Sequence, residues 1–285
     1  KQKLLVNNQK VDVLARNHFN EIIFGEQHPY GYIVKAADYD LLDPEKVKQF
    51  YADFYTAGNC KIVVAGLVKP ETLAQLEKCF GNSWSKGEIK RPEIKQINAP
   101  GKRENLLPKA DAVQSAIRIG RTLFTKTHPD YFGMHILNTL LGGYFGSRLM
   151  SNIREDKGYT YGIGSGIASL QENGYFFIAT EVGVDVCASA VKEIYHEIKR
   201  LREELVPQAE LDLVKNYLQG TFIRSIDGAF ALSEKFIAIL EYDLDYGFYD
   251  EYLNCIHTIQ PEQIQALAQK YLQEKDLIEL VVGKK

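Results

Sequence analysis

The sequence predicts an α+β fold assembled from two related halves. Three observations carry this expectation: a composition able to fill a large core, a second region in which strand-like runs precede long amphipathic helices, and a helix-to-strand unit that occurs twice. The 285 residues are 45% apolar, 25% charged and 11% aromatic, which suits one large core or two smaller ones. With 34 basic and 37 acidic side chains the net charge is −3, without the basic excess that phosphate backbones select, so nucleic acid is not an expected partner. No apolar run approaches the roughly 20 residues needed to cross a bilayer, so no membrane partner is expected either. The start, Lys1-Gln2-Lys3-Leu4-Leu5-Val6, lacks both an initiator Met and the apolar stretch of a signal peptide. A processed or truncated chain is expected, cytoplasmic by default and periplasmic if a leader has been removed.

The elements follow in order. From Gln9 to Phe24, residues Val11, Leu14, Phe19, Ile22 and Ile23 recur near a 3.6-residue period and predict a helix, which Gly25 ends before a turn at His28-Pro29-Tyr30-Gly31. Asp43 can cap a second helix opened by Pro44, with an apolar stripe through Val47, Phe50, Phe54 and Tyr55. Lys61-Ile62-Val63-Val64-Ala65-Gly66 reads as a buried strand, and Pro70 to Phe80 as a helix packed on it. From Gly81 to Pro108 the composition turns to Lys, Asn, Gly and Pro. A linker is therefore placed at 86–110, between the C-terminal part of a first domain (1–85) and a second domain (111–285). Past it, 112–120, 159–168 and 175–182 have strand character, and 131–141, 146–155, 185–204, 207–224 and 229–242 look helical.

The repeat sets Pro44-Glu45-Lys46-Val47, leading through Phe54 to Ile62-Val63-Val64-Ala65-Gly66, against Pro261-Glu262-Gln263-Ile264, leading through Tyr271 to Leu280-Val281-Val282-Gly283. The two copies align from Pro to Gly without a gap, each a helix delivering the chain into a buried strand. If the halves are duplicates, roughly 100 residues of the first fall outside this chain, so the first domain is expected to be incomplete.

Histidines, cysteines, glycines and paired donors are the residues that could carry chemistry. His18, His28, His128, His135, His196 and His257 form neither H-E-x-x-H nor its inverse, because Ile22 stands where His18 would need its partner. Cys60, Cys79, Cys187 and Cys255 match neither a zinc ribbon nor a disulfide framework, and buried free thiols are expected. The glycines at Gly142-Gly143 and Gly162-Ile163-Gly164-Ser165-Gly166 lie in or before a strand and point to bulges or close backbone approach, not to a phosphate cradle. Arg154, at the end of a helix, and Tyr161, after a glycine turn, can converge as donors that polarise a carbonyl or hold an oxyanion. The alternative for Arg154 is complementing a helix dipole beside an aromatic strand.

Together these segments resemble peptidase family M16, the pitrilysin or insulinase inverzincins that include mitochondrial processing peptidase. His28-Pro29-Tyr30-Gly31 after Phe24 resembles the family's H-P-x-G turn, and Tyr55 through Asn59 to Gly66 its Y-x-x-x-N strand entry. Ser147-Arg148-Leu149 through Arg154, with Lys157-Gly158-Tyr159-Thr160-Tyr161, resembles S-R-L…R-x-x-x-G-x-x-Y. The resemblance implies two homologous domains of mainly antiparallel sheet covered by helices, a LuxS/metallohydrolase-like peptidase fold. It implies catalytic donors Arg154 and Tyr161 and substrate binding by Arg154, Gly158, Tyr159 and Tyr161. The family's H-x-x-E-H is absent from this chain, and its distal glutamate either has been cut away or has its slot held by Lys or Gln, so no metal ligand is expected here. Zinc is expected in a missing half or a partner subunit bearing H-x-x-E-H, and an unfolded polypeptide is the implied substrate. The alternatives are an inactive assembly subunit of the same fold and a precursor whose upstream residues carry the zinc motif.

Overall fold

Two ten-residue strands build the sheet: burial alternates along Gly174–Gly183 and is nearly continuous over residues 115–120 of Gln114–Leu123. The computed structural model describes residues 1–81, 84, 87 and 102–285, and residues 86 and 88–101 of the expected linker lie outside them. The strands are β1 (Glu104–Pro108), β2 (Gln114–Leu123), β3 (Ile163–Ser169), β4 (Gly174–Gly183) and β5 (Ile278–Gly283), ordered β1-β5-β2-β4-β3. Only β1 runs parallel to its neighbour; the other pairings are antiparallel. The expected linker therefore stops short of residue 110, because Glu104–Pro108 finds ladder partners on β5.

The helices are α1 (Gln2–Asn7), α2 (Val11–Phe24), α3 (Pro44–Phe54), α4 (Pro70–Phe80), α5 (Tyr131–Asn138), α6 (Cys187–Glu203), α7 (Gln208–Arg224), α8 (Gly228–Leu240), α9 (Gly247–Thr258) and α10 (Pro261–Tyr271). One sheet face presents Ile117, Ile119, Phe176, Ile178 and Val281 to a core shared with α5, α6, α7 and α10. The opposite face presents Ala116, Ile278, Leu280 and Val282 to Ala15, Phe19, Ile23 and Phe24 of α2. Buried on both faces, β5 is apolar apart from Glu279, a buried carboxylate paired with the Lys285 ammonium. Gly25 ends α2 in the left-handed region (φ 95°), as its sequence predicts.

Residues group into two compact units. One holds residues 2–33, the described residues from 102 to 221, and 247–285, so α2 belongs with the sheet. The other holds α3, α4, α8 and the segment between α3 and α4. There Asp43 caps α3 as expected, its carboxylate accepting the Glu45 N–H at 2.9 Å. The stripe of α3 departs from expectation, since none of its residues is buried and Phe50 is 56% exposed. The strand expected at 61–66 is likewise not formed. Ile62 and Val64 are 48% and 41% exposed, and a strand exists only with a ladder partner, which this segment lacks among the described residues. Cys60 and Cys79 are exposed, not buried as expected; Cys187 is buried and Cys255 half-buried.

Candidate functional site

Tyr161 lies two residues before β3, at the rim of a concavity of about 330 Å3 on the α2 side of the sheet. Two cross-strand pairs make its floor, Ala116 with Glu181 and Arg118 with Ala179. Asp12, in the first turn of α2, Thr160 and Thr180 also line it. The Tyr161 side chain is 94% exposed, leaving its phenol as a donor to a molecule seated there. The Arg118 guanidinium lies 5.5 Å from the Phe177 ring centroid. Burial pulls its pKa below the usual arginine value, although arginine stays charged. Loss of solvation first, and the Asp12 carboxylate second, push Glu181 above the ordinary carboxylate range, while Arg118 pulls it back. The concavity thus combines one half-buried cation, two carboxylates that repel each other and an exposed phenol.

Arg154 comes from the π-helical segment Met150–Asp156, where wide turns often mark functional sites. Three contacts pin this segment. Ile153 is buried in the core. The Asn152 amide donates to Glu197 at 2.8 Å and Glu193 at 3.1 Å, both on α6. Just ahead, Arg148 forks onto Glu210 of α7 with both bonds at 2.8 Å. Arg154 itself stands with its guanidinium 4.6 Å from the Phe145 ring centroid. Gly158 then adopts φ 65°, a left-handed turn that only glycine makes without strain, and the Tyr159 N–H donates to the Ile153 carbonyl at 3.0 Å.

Each residue singled out in sequence has its own surroundings in the structure. Tyr159 packs its ring on the core, Gly158 makes the turn, Tyr161 reaches the concavity and Arg154 lies against Phe145. No hydrogen bond joins Arg154 to Tyr161 among the described residues. Asp12, Arg118 and Glu181 are not legible in the sequence because their spacing carries no motif; the β2–β4 register brings Arg118 and Glu181 together and the packing of α2 on the sheet adds Asp12. The expected close backbone approach of the glycines holds at Gly142, where a Cβ would fall 2.7 Å from the Ser165 nitrogen on β3.

A zinc ion such as the resembled family uses would need ligands among these side chains. A zinc site gathers three or four ligands, and among the described residues no three His, Cys, Asp or Glu side chains gather. His18 pairs with Glu21 at 2.9 Å. His28 and His128 each accept a backbone N–H on Nδ1 and stack on Phe24 and Phe124. These side chains do not fit the metal. Among the described residues no helix is long and apolar enough to cross a membrane.

Comparison with known proteins agrees with this architecture. Residues 42–218 match the family model described as the peptidase M16 inactive domain. The uncharacterized zinc protease YmxG of Bacillus subtilis (strain 168) is 24% identical over 275 residues, covering 95% of this chain and 65% of that protein. The chain thus spans less than two thirds of that relative's length. The crystal structure of a peptidase M16 inactive domain from Pseudomonas fluorescens superposes with a TM-score of 0.89 at 23% identity, over 100% of this chain and 68% of that one. A protease from Helicobacter pylori gives a TM-score of 0.85 at 18% identity, over 98% of this chain and 70% of that one.

Proposed function

This chain belongs to the M16 peptidase family, and on that premise we propose that it binds extended, unfolded peptide and presents Tyr161 and Arg154 as donors to the peptide main chain. The exposed phenol of Tyr161 above a polar concavity is the observation that carries the reading. β3 supports it: the strand ends the sheet with β4 as its single neighbour among the described residues, so its outer edge can accept an extended peptide through main-chain hydrogen bonds. Tyr161 immediately precedes that edge. In the proposal cleavage is completed with a half or partner subunit bearing H-x-x-E-H and its zinc, which supplies an activated water when bound. The residues of this chain bind and orient the carbonyl and stabilise the charge that develops on its oxygen.

The test is titration of a fluorescently labelled, unstructured peptide. Tyr161→Phe removes one neutral donor and should weaken binding by about three- to tenfold, and Arg154→Ala, a charged donor, by about tenfold or more. In a mixture with an H-x-x-E-H family member and zinc, turnover should fall about 10²- to 10³-fold in either variant. Equal affinity and equal turnover in all three proteins would refute the assignment. A second reading, an assembly subunit without turnover, is favoured by the inactive-domain description of the matching family model. It predicts partner binding that ignores both substitutions.

A further inference from the structure

Tyr161 is exposed at its side chain yet flanked by a dense hydrogen-bonded knot. The Thr160 hydroxyl lies 2.7 Å from the Glu181 carbonyl, and the Gly162 N–H donates to Thr160 Oγ1 at 3.1 Å. Thr180 Oγ1 lies 3.0 Å from both the Gly162 carbonyl and Thr160 Oγ1. Two hydroxyl protons are available. One arrangement uses both and leaves no acceptor idle: Thr160 donates to the Glu181 carbonyl, Thr180 donates to the Gly162 carbonyl, and Thr160 Oγ1 accepts from Gly162. The residues before and after Tyr161 are thereby both tied to β4, and Thr180 is itself buried.

A solvent-facing tyrosine between two free residues would sample many backbone conformations, and ordering it on binding would cost conformational entropy. Here that ordering is built in before a ligand arrives. We propose that Thr160 is a positioning residue whose hydroxyl, with that of Thr180, holds the Tyr161 backbone on β4 so that the phenol is preorganised over the concavity. The inference rests on the peptide-binding reading for its purpose, but the positioning itself is measurable without peptide.

Thr160→Val keeps the shape and removes the hydroxyl; Thr160→Ser keeps the hydroxyl. Backbone 15N relaxation of the full chain should show the order parameters of Tyr161 and Gly162 falling from near 0.85 to below about 0.6 in Thr160→Val and staying high in Thr160→Ser. Thr180→Val, which removes only the tether to the Gly162 carbonyl, should give an intermediate loss. It keeps the test open if Thr160→Val does not fold. Peptide affinity should fall about three- to tenfold in Thr160→Val, recover in Thr160→Ser, and show no further loss when Thr160→Val is added to Tyr161→Phe. Unchanged order parameters at 161 and 162 in the valine variants overturn the proposal. Mobility gained in Thr160→Val while Tyr161→Phe leaves peptide affinity untouched upholds the positioning and refutes the peptide reading instead.

Discussion

His28 shows what one buried side chain does to the pH response of the protein. Its ring stacks on Phe24, its Nδ1 accepts the Tyr30 N–H at 3.1 Å, and its Nε2 has no hydrogen-bond partner among the described residues. Burial holds its pKa below the usual 6.5. In the window just below 6.5 the unfolded chain binds the proton and the folded chain does not, so stability is complete above that pH and falls as pH drops. The melting temperature should decline between about pH 7 and pH 5.5, and His28→Phe, which preserves the aromatic stack, should flatten part of that decline. An identical pH slope in the variant would rule His28 out as a cause. The turn around this residue was legible in sequence, because His-Pro-x-Gly can hardly be anything else. The neutral, buried state of the imidazole was not, since it depends on what α2 and the sheet place around it.

At the scale of elements, the two copies of the repeat part company. Pro261–Tyr271 and Ile278–Gly283 form a helix and a fully buried strand held between β1 and β2. The first copy forms its helix, with its Asp43 cap, but residues 61–66 remain without a ladder among the described residues. Local chemistry was sufficient for the caps and for both helices; strand formation needed neighbours. Amide exchange measures the difference. Amides of 278–283 should be protected close to the global unfolding limit, whereas those of 62–65 should exchange within the earliest time points. Equal protection in both segments would mean that 61–66 is paired in solution. The π-helical segments on either side of Ser147 were expected as ordinary helix. Period analysis detects an amphipathic turn but not a widened one, and the widening arises where Gly142 packs against Ser165 and Asn152 reaches α6.

For the whole molecule, near-balanced charge and a polar concavity favour recognition by main-chain hydrogen bonds over electrostatic capture. The net charge is −3, and the concavity sets Arg118 against Asp12 and Glu181. Affinity for a charged and for an uncharged peptide should therefore respond alike, each changing by less than about twofold between low salt and about 0.3 M salt, read by the same titration. A steep loss with salt would favour charge steering and weaken the main-chain reading.

By itself the sequence determined the α+β class, the principal helix starts and stops, the reversal at Gly158 and the family motif containing Arg154 and Tyr161. The first three follow from periodicity, capping chemistry and the ease with which glycine takes a left-handed turn, all of which act within a few residues; the motif rests on resemblance to the family. Tertiary structure alone decided which apolar runs are buried, that Tyr159 turns inward while Tyr161 turns outward, and that Asp12, Arg118 and Glu181 share one concavity. Burial, ladder pairing and shared desolvation are properties of surfaces brought together from distant positions, and local spacing does not encode them.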